Sequence, residues 1–191
     1  MNKIILDTNI VSTFIKIEKL PLLASLFPNH VLTMSKGVKE ELTASLFQDI
    51  PIDETSLSPD EFLFFDKFAK RYGSLGKGEL ECITICISRS IPMLTNDRKA
   101  KNVAIENGVL CWDLPEILRA LLLKHLVDPD QLEILIKSIE DEDNIVFKNK
   151  VRLFDMDRRN IHLRILQSPI PRLSPPLRSI LLHDRVIGFL V

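Results

Sequence analysis

Aromatic residues are scarce in this chain: one Trp, one Tyr and 10 Phe among 191 residues. An extended platform for stacking nucleobases is therefore not indicated. Net charge is nearly absent as well, at −1, so the chain as a whole offers no attraction for a polyanion, and any nucleic-acid binding must rest on a local basic patch. The three cysteines, Cys82, Cys86 and Cys111, are an odd number and lack CxxC spacing. The plain reading is buried thiols in a reducing cytoplasm. The four histidines are scattered without metal-ligand spacing. Long apolar runs are missing too. The most apolar stretch, Leu114 to Val127, is broken by Glu116, Arg119, Lys124 and His125, and the N-terminal run Ile4-Ile5-Leu6 stops at Asp7. Neither a membrane span nor a signal peptide is expected, which leaves a cytoplasmic chain with no membrane partner.

What is present suits one globular domain. Apolar residues make up 46% and charged residues 27%, which excludes wholesale disorder. Short strand-like runs alternate with longer helix-like ones, the pattern of an α/β domain around a parallel sheet. Strands are expected at Lys3–Leu6, Val31–Met34, Pro92–Thr95 and Val109–Trp112, with an edge strand at Ile145–Lys148. Helices are expected over Thr8–Lys19, from Pro21 to Phe27, and after Ser35 through Val38, Leu42, Leu46 and Phe47. Further helices follow over Pro59–Tyr72, Glu79–Arg89, Arg98–Asn107, Pro115–Leu126 and Pro129–Ile139. The stretch from Asp49 to Pro59 is polar and bracketed by prolines, and reads as a loop.

Composition changes abruptly near residue 150. Positions 1–150 hold 14 Lys and 4 Arg; positions 151–191 hold no Lys and 7 Arg, with four of the 11 prolines. The first segment reads as the domain. The second reads as an atypical Arg/Pro-rich tail without a patterned apolar face, expected to be poorly ordered, and as a frameshift or read-through product rather than an evolved domain. An Arg-rich nucleic-acid-binding extension is the alternative.

Three carboxylates stand where strands end or helices begin. Asp7 ends the first strand, Asp97 follows the third in Thr95-Asn96-Asp97, and Glu79 opens a helix after Gly78. In a parallel α/β sheet such positions converge on one crevice at the carboxyl ends of the strands. Carboxylates gathered there repel one another unless a cation intervenes, which points to a hard divalent ion with oxygen ligands, Mg²⁺ or Mn²⁺. Each residue also has a plain explanation: Asp7 and Asp97 as helix caps, Glu79 as a first-turn acid answering the helix dipole.

Taken together, the acids resemble those of the PIN-domain family of PilT N-terminus-like nucleases. Its opening motif, an apolar strand followed by Asp-Thr-Asn, stands here as Ile4-Ile5-Leu6-Asp7-Thr8-Asn9. Val38-Lys39-Glu40-Glu41-Leu42 matches the second acid, placing it at Glu41. Glu79 and Asp97, 18 positions apart, match the third and fourth. Gly78-Glu79-Leu80-Glu81 is similar to a subgroup with Gly-Glu in place of the commoner Asp. The resemblance spans residues 3–126, or to 150. It departs at the fourth acid, where the family often adds another acid, Ser or Asn; here the neighbours are basic, and Asp113 after the fourth strand is a second-tier substitute, with helix capping as its other reading.

The resemblance implies a three-layer fold with a mostly parallel sheet flanked by helices. It also implies a Mg²⁺- or Mn²⁺-dependent endoribonuclease with an RNA substrate, in many members the homodimeric toxin of a toxin–antitoxin pair. Asp7, Glu79 and Asp97 would then hold one or two cations and Glu41 would act with them, with Thr8, Asn9 and Thr95 in support. Lys36, Lys39, Lys77, Arg98, Lys99 and Lys101 are candidates for holding phosphate, with ordinary solvated surface as the alternative. The competing reading from another class is a non-catalytic PIN-like module that binds RNA or a protein partner. A haloacid-dehalogenase-type phosphatase needs a second Asp where Asn9 stands, and a dinucleotide-binding oxidoreductase needs a GxGxxG that is absent. On helix spacing, Glu79 shares a face with Cys82, Ile83 and Cys86, and Glu81 with the more polar Thr84, Ile85 and Ser88; Glu79 is therefore expected on the inward edge.

Overall fold

The run Ile4-Ile5-Leu6 is covered on both sides, as a central strand of a parallel sheet requires. In the computed structural model, which describes residues 2–42 and 52–154, it lies in β1 (Asn2–Leu6). On one side β1 pairs with β2 (His30–Ser35), Leu6 opposite Met34. β3 (Asp53–Thr55) adds to β2, with Thr33 opposite Asp53. On the other side lie β4 (Met93–Leu94), Leu6 opposite Leu94, and then β5 (Cys111–Trp112). The order is β3-β2-β1-β4-β5 and every pairing is parallel. The α/β architecture, a central parallel sheet flanked by helices, is as the sequence implies.

The strand ends launch the helices. α1 (Thr8–Lys16) follows β1 directly, α2 (Leu20–Leu26) carries Pro21 in its first turn, and α3 (Lys36–Glu41) follows β2 behind the cap Ser35. α4 (Pro59–Arg71) opens with a Ser58–Glu61 capping box. α5 (Lys77–Arg89) precedes β4, and α6 (Arg98–Glu106) follows it. α7 (Leu114–Leu123) follows β5, and α8 (Pro129–Asp143) closes back on α1, where Lys16 reaches Asp143 at 2.8 Å.

Several expectations are corrected. β3 lies inside the stretch read as a loop. Its residues Asp-Glu-Thr carry no apolar signal, and it is held by the ladder to β2 and by distant partners. Lys39 pairs with Glu54, Lys3 with Asp53, and Arg89 donates to Thr55 Oγ1 at 2.6 Å. Ile145–Lys148 forms no strand; Ile145 and Phe147 pack on the core, and the Phe147 N–H donates to the Glu140 carboxylate at 2.9 Å before a 3-10 turn at Lys150–Leu153. The helical stripe argument also fails. α5 packs against α3, α4, α6 and three strands, so Gly78 and every residue from Leu80 to Ile87 are buried, the supposedly polar Thr84 included. The expected continuation of α3 through Leu46 and Phe47, and the tail beyond Phe154, lie outside the described residues.

Candidate functional site

The carboxyl ends of β1 and β4 bring two of the candidate acids together through one threonine. Asp7 is only 2% exposed. It caps α1, one oxygen accepting from the Thr8 N–H at 2.8 Å, while the other accepts from Thr95 Oγ1 at 2.6 Å. Thr95 in turn accepts the Asp97 N–H at 3.1 Å, so a fully buried hydroxyl links the two aspartates. Asp97 caps α6 by accepting from the Ala100 N–H at 2.7 Å. The same strand ends are tied by Asn9, whose Oδ1 accepts the Asn96 N–H at 3.3 Å. Burial pushes the Asp7 carboxyl up from 3.8 to about 6; the bonds from Thr95 and Thr8 oppose the rise, and the charges of Glu79 and Glu41 add to it.

α5 and α3 supply the other two acids. Glu79, in the first turn of α5, accepts from the Gly76 N–H at 2.8 Å. Its pKa is raised, first by burial and then by Asp97 and Glu41, against the Gly76 bond and the Lys99 charge. Glu41 ends α3, accepts from Thr8 Oγ1 at 2.5 Å, and lies over Gly78, where a Cβ would sit 2.5 Å from its Oε1. A side chain at position 78 would have to displace that carboxylate. Asp7 thus lies in the field of Glu79 and Glu41, and Glu79 in that of Asp97 and Glu41.

Their chemistry suits a hard cation. The donors are all oxygen, and no Lys or Arg pairs with Asp7, Glu41, Glu79 or Asp97 in an ion pair among the described residues. Among those residues, however, no three His, Cys, Asp or Glu side chains form a ready-made metal cage. Asp7, Glu79 and Asp97 each spend an oxygen on a backbone N–H at a helix start, so the capping roles the sequence allows are real. Mg²⁺ keeps several waters and takes as few as one or two protein carboxylates, so its fit does not require a closed cage.

The remaining candidates divide. Asp113 caps α7 in a capping box with Glu116, and Lys101 grips both at 2.7 and 2.6 Å. Lys101 is therefore a clasp between α6 and α7, and no longer a free phosphate-holding cation; Asp113 is its anchor. Lys36 lies 3.8 Å from Glu40 in an exposed pair, and Lys39 is taken by Glu54. Lys77, Arg98 and Lys99 are exposed on the first turns of α5 and α6. The three thiols are buried and pushed up by desolvation, Cys111 to about 12, which makes them inert, as the sequence suggests.

One cluster escapes the sequence reading. Glu81, 8% exposed, accepts from the Gly37 N–H at 2.8 Å and from Ser35 Oγ at 3.3 Å. The small residues Ser35, Gly37 and Gly78 were its signal: they let α3 and α5 touch, and a Gly37 Cβ would stand 3.3 Å from Gly78 Cα.

No curated protein matches the chain. Among solved structures it is similar to VapBC2 from Rickettsia felis, bound to a DNA fragment from the promoter, at 17% identity and a TM-score of 0.47, covering 58% of this chain and 98% of that one. It is also similar to a PilT N-terminus domain protein from the hyperthermophilic archaeon Sulfolobus solfataricus P2, at 16% identity and a TM-score of 0.43, covering 63% and 93%. A family model described as PIN domain matches residues 3–152. That match runs from the first strand to the 3-10 turn that closes the core, and the chain belongs to the PIN-domain family.

Proposed function

We propose that this chain is a Mg²⁺- or Mn²⁺-dependent endoribonuclease acting in the cytoplasm, with residues 1–150 as its nuclease domain and 151–191 as an appended tail. The observation that carries the reading is Asp7: a nearly inaccessible carboxyl with no Lys or Arg ion-paired to it among the described residues, pushed up to about 6, in the field of Glu79 and Glu41. Such a group costs stability, and natural proteins retain that cost where function needs it.

In this reading Asp7, Glu79 and Asp97 hold the cation. Bound there, it would supply charge stabilisation at the attacked phosphate and acidify a water. Thr95 keeps the Asp7 and Asp97 loops in register through its single hydroxyl. Glu41, steadied by Thr8, orients the attacking water and takes its proton. Lys99, Arg98 and Lys77, on exposed turns beside the acids, hold phosphate oxygens of the RNA. The reading extends to a toxin held by an antitoxin protein and acting as a homodimer, as family membership suggests.

The test uses purified full-length protein, end-labelled RNA and Mn²⁺. Cleavage that disappears with chelator and with Asp7→Asn is expected. RNA binding without cleavage would favour the non-catalytic module.

A further inference from the structure

We infer that Glu81, which has no part in the chemistry just described, is a positioning residue that sets the place of Glu41 by docking α3 onto α5; the inference rests on the nuclease reading for its effect on rate. α3 is six residues long, too short to hold itself as a helix. Its place depends on what it touches. At its start, the Gly37 N–H and Ser35 hydroxyl both donate to Glu81, and Glu81 Oε2 occupies the space where a Gly37 Cβ would be, at 2.3 Å. One turn later, Glu41 lies over Gly78 of α5 and takes the Thr8 hydroxyl.

The arrangement is reciprocal. Gly37 and Glu41, four apart, share one face of α3; Gly78 and Glu81, three apart, share one face of α5. Each helix sets its glutamate over the other's glycine. A carboxylate as buried as Glu81 is costly without donors, and no Lys or Arg pairs with it among the described residues. Both of its donors lie in the turn that begins α3. Shortening Glu81 therefore frees that turn, and the loss is felt one turn on at Glu41, where a displacement of about 1 Å is enough to cost on the order of 100-fold in rate.

The test compares Glu81→Gln and Glu81→Ala, in the full chain and in a Glu41→Gln background, by RNA cleavage in Mn²⁺. Gln keeps a carbonyl to accept the Gly37 N–H, and its kcat should stay within about tenfold of the parent. Ala should lower kcat about 30- to 100-fold with KM changed less than about twofold, and should cost less than about twofold once Glu41 is already Gln. Equal losses in both backgrounds, or a loss confined to KM, would overturn the role. A second readout needs neither metal nor turnover. In metal-free protein, the Thr8 methyl and Glu41 carboxyl NMR signals should move with Glu81→Ala and stay with Glu81→Gln; unmoved signals in both would also overturn it. Should Glu81→Ala fail to fold, Gly37→Ala perturbs the same contact by setting a Cβ against the carboxylate, and the same signals should move. A parent chain that does not cleave RNA, or whose cleavage ignores Asp7→Asn, would sink the nuclease reading and the predicted effect on rate, while the NMR comparison would still decide whether Glu81 places Glu41.

Discussion

Replacing Asp7 by Asn should remove activity and, in the absence of metal, make the protein more stable at alkaline pH. A rise from 3.8 to about 6 means that ionised Asp7 disfavours the fold by about 3 kcal/mol at pH 8. The sign follows from linkage: an acid whose pKa is raised by folding favours the folded state at low pH, and that contribution is lost as pH rises through about 6. Asn is as good a helix cap as Asp, so the Thr8 bond survives. The bond from Thr95 must be turned around, since Thr95 already accepts the Asp97 N–H, which costs about 1 kcal/mol. The net gain is about 2 kcal/mol at pH 8, roughly 5 °C in melting temperature for a chain of this size. It should shrink to less than about 1 kcal/mol at pH 5 and vanish near pH 4, where the native carboxyl is protonated. Thermal or urea unfolding of both proteins in chelator at pH 4, 5 and 8 measures it. Millimolar Mg²⁺ should then stabilise the parent and leave the variant unchanged. A variant less stable than the parent at pH 8, or a gain that ignores pH, would refute the reasoning and leave Asp7 as a cap alone.

Other perturbations separate residues by what they touch. Lys99→Ala should raise KM for RNA several-fold with little change in melting temperature, whereas Lys101→Ala, which breaks the clasp on Asp113 and Glu116, should cost about 1–2 kcal/mol in urea unfolding. Arg89→Ala strips Glu61 of its two guanidinium bonds and frees Thr55 and Ser56; with the Glu61 side chain only 10% exposed, about 2–3 kcal/mol should be lost in the same assay. A chain ending at Phe154 should keep its melting temperature within about 2 °C, because the buried Leu153 closes the described core; a large drop would show that the tail belongs to the domain.

The acids were legible because strand ends announce themselves. An apolar run halted by Asp7, and Thr95-Asn96-Asp97 halting another, mark the carboxyl edge of a parallel sheet, and the order of the elements then gathers the residues. Cap and ligand are not exclusive readings there: Asp7 and Asp97 cap helices and still face a shared hydroxyl. What stayed hidden depends on partners distant in sequence. β3 has charged side chains and owes its place to Lys3, Lys39 and Arg89. Lys101 looked like a free cation because nothing local names Asp113 and Glu116 as its partners. Glu81 was assigned to the more polar stripe because helical spacing assumes one wet face, and α5 has none along its central turns. Ile145–Lys148 had the apolar content of a strand, but it packs its side chains without a ladder partner.

The most direct measurement is where a cation binds. Crystals of the full-length protein soaked in Mn²⁺ should show anomalous density beside Asp7, within reach of the Asp97 or Glu79 oxygens, at roughly 2–2.3 Å from at least one carboxylate. The same density should be lost in Asp7→Asn. Mn²⁺ density confined to other surface acids, in a protein that still cleaves RNA, would contradict the account.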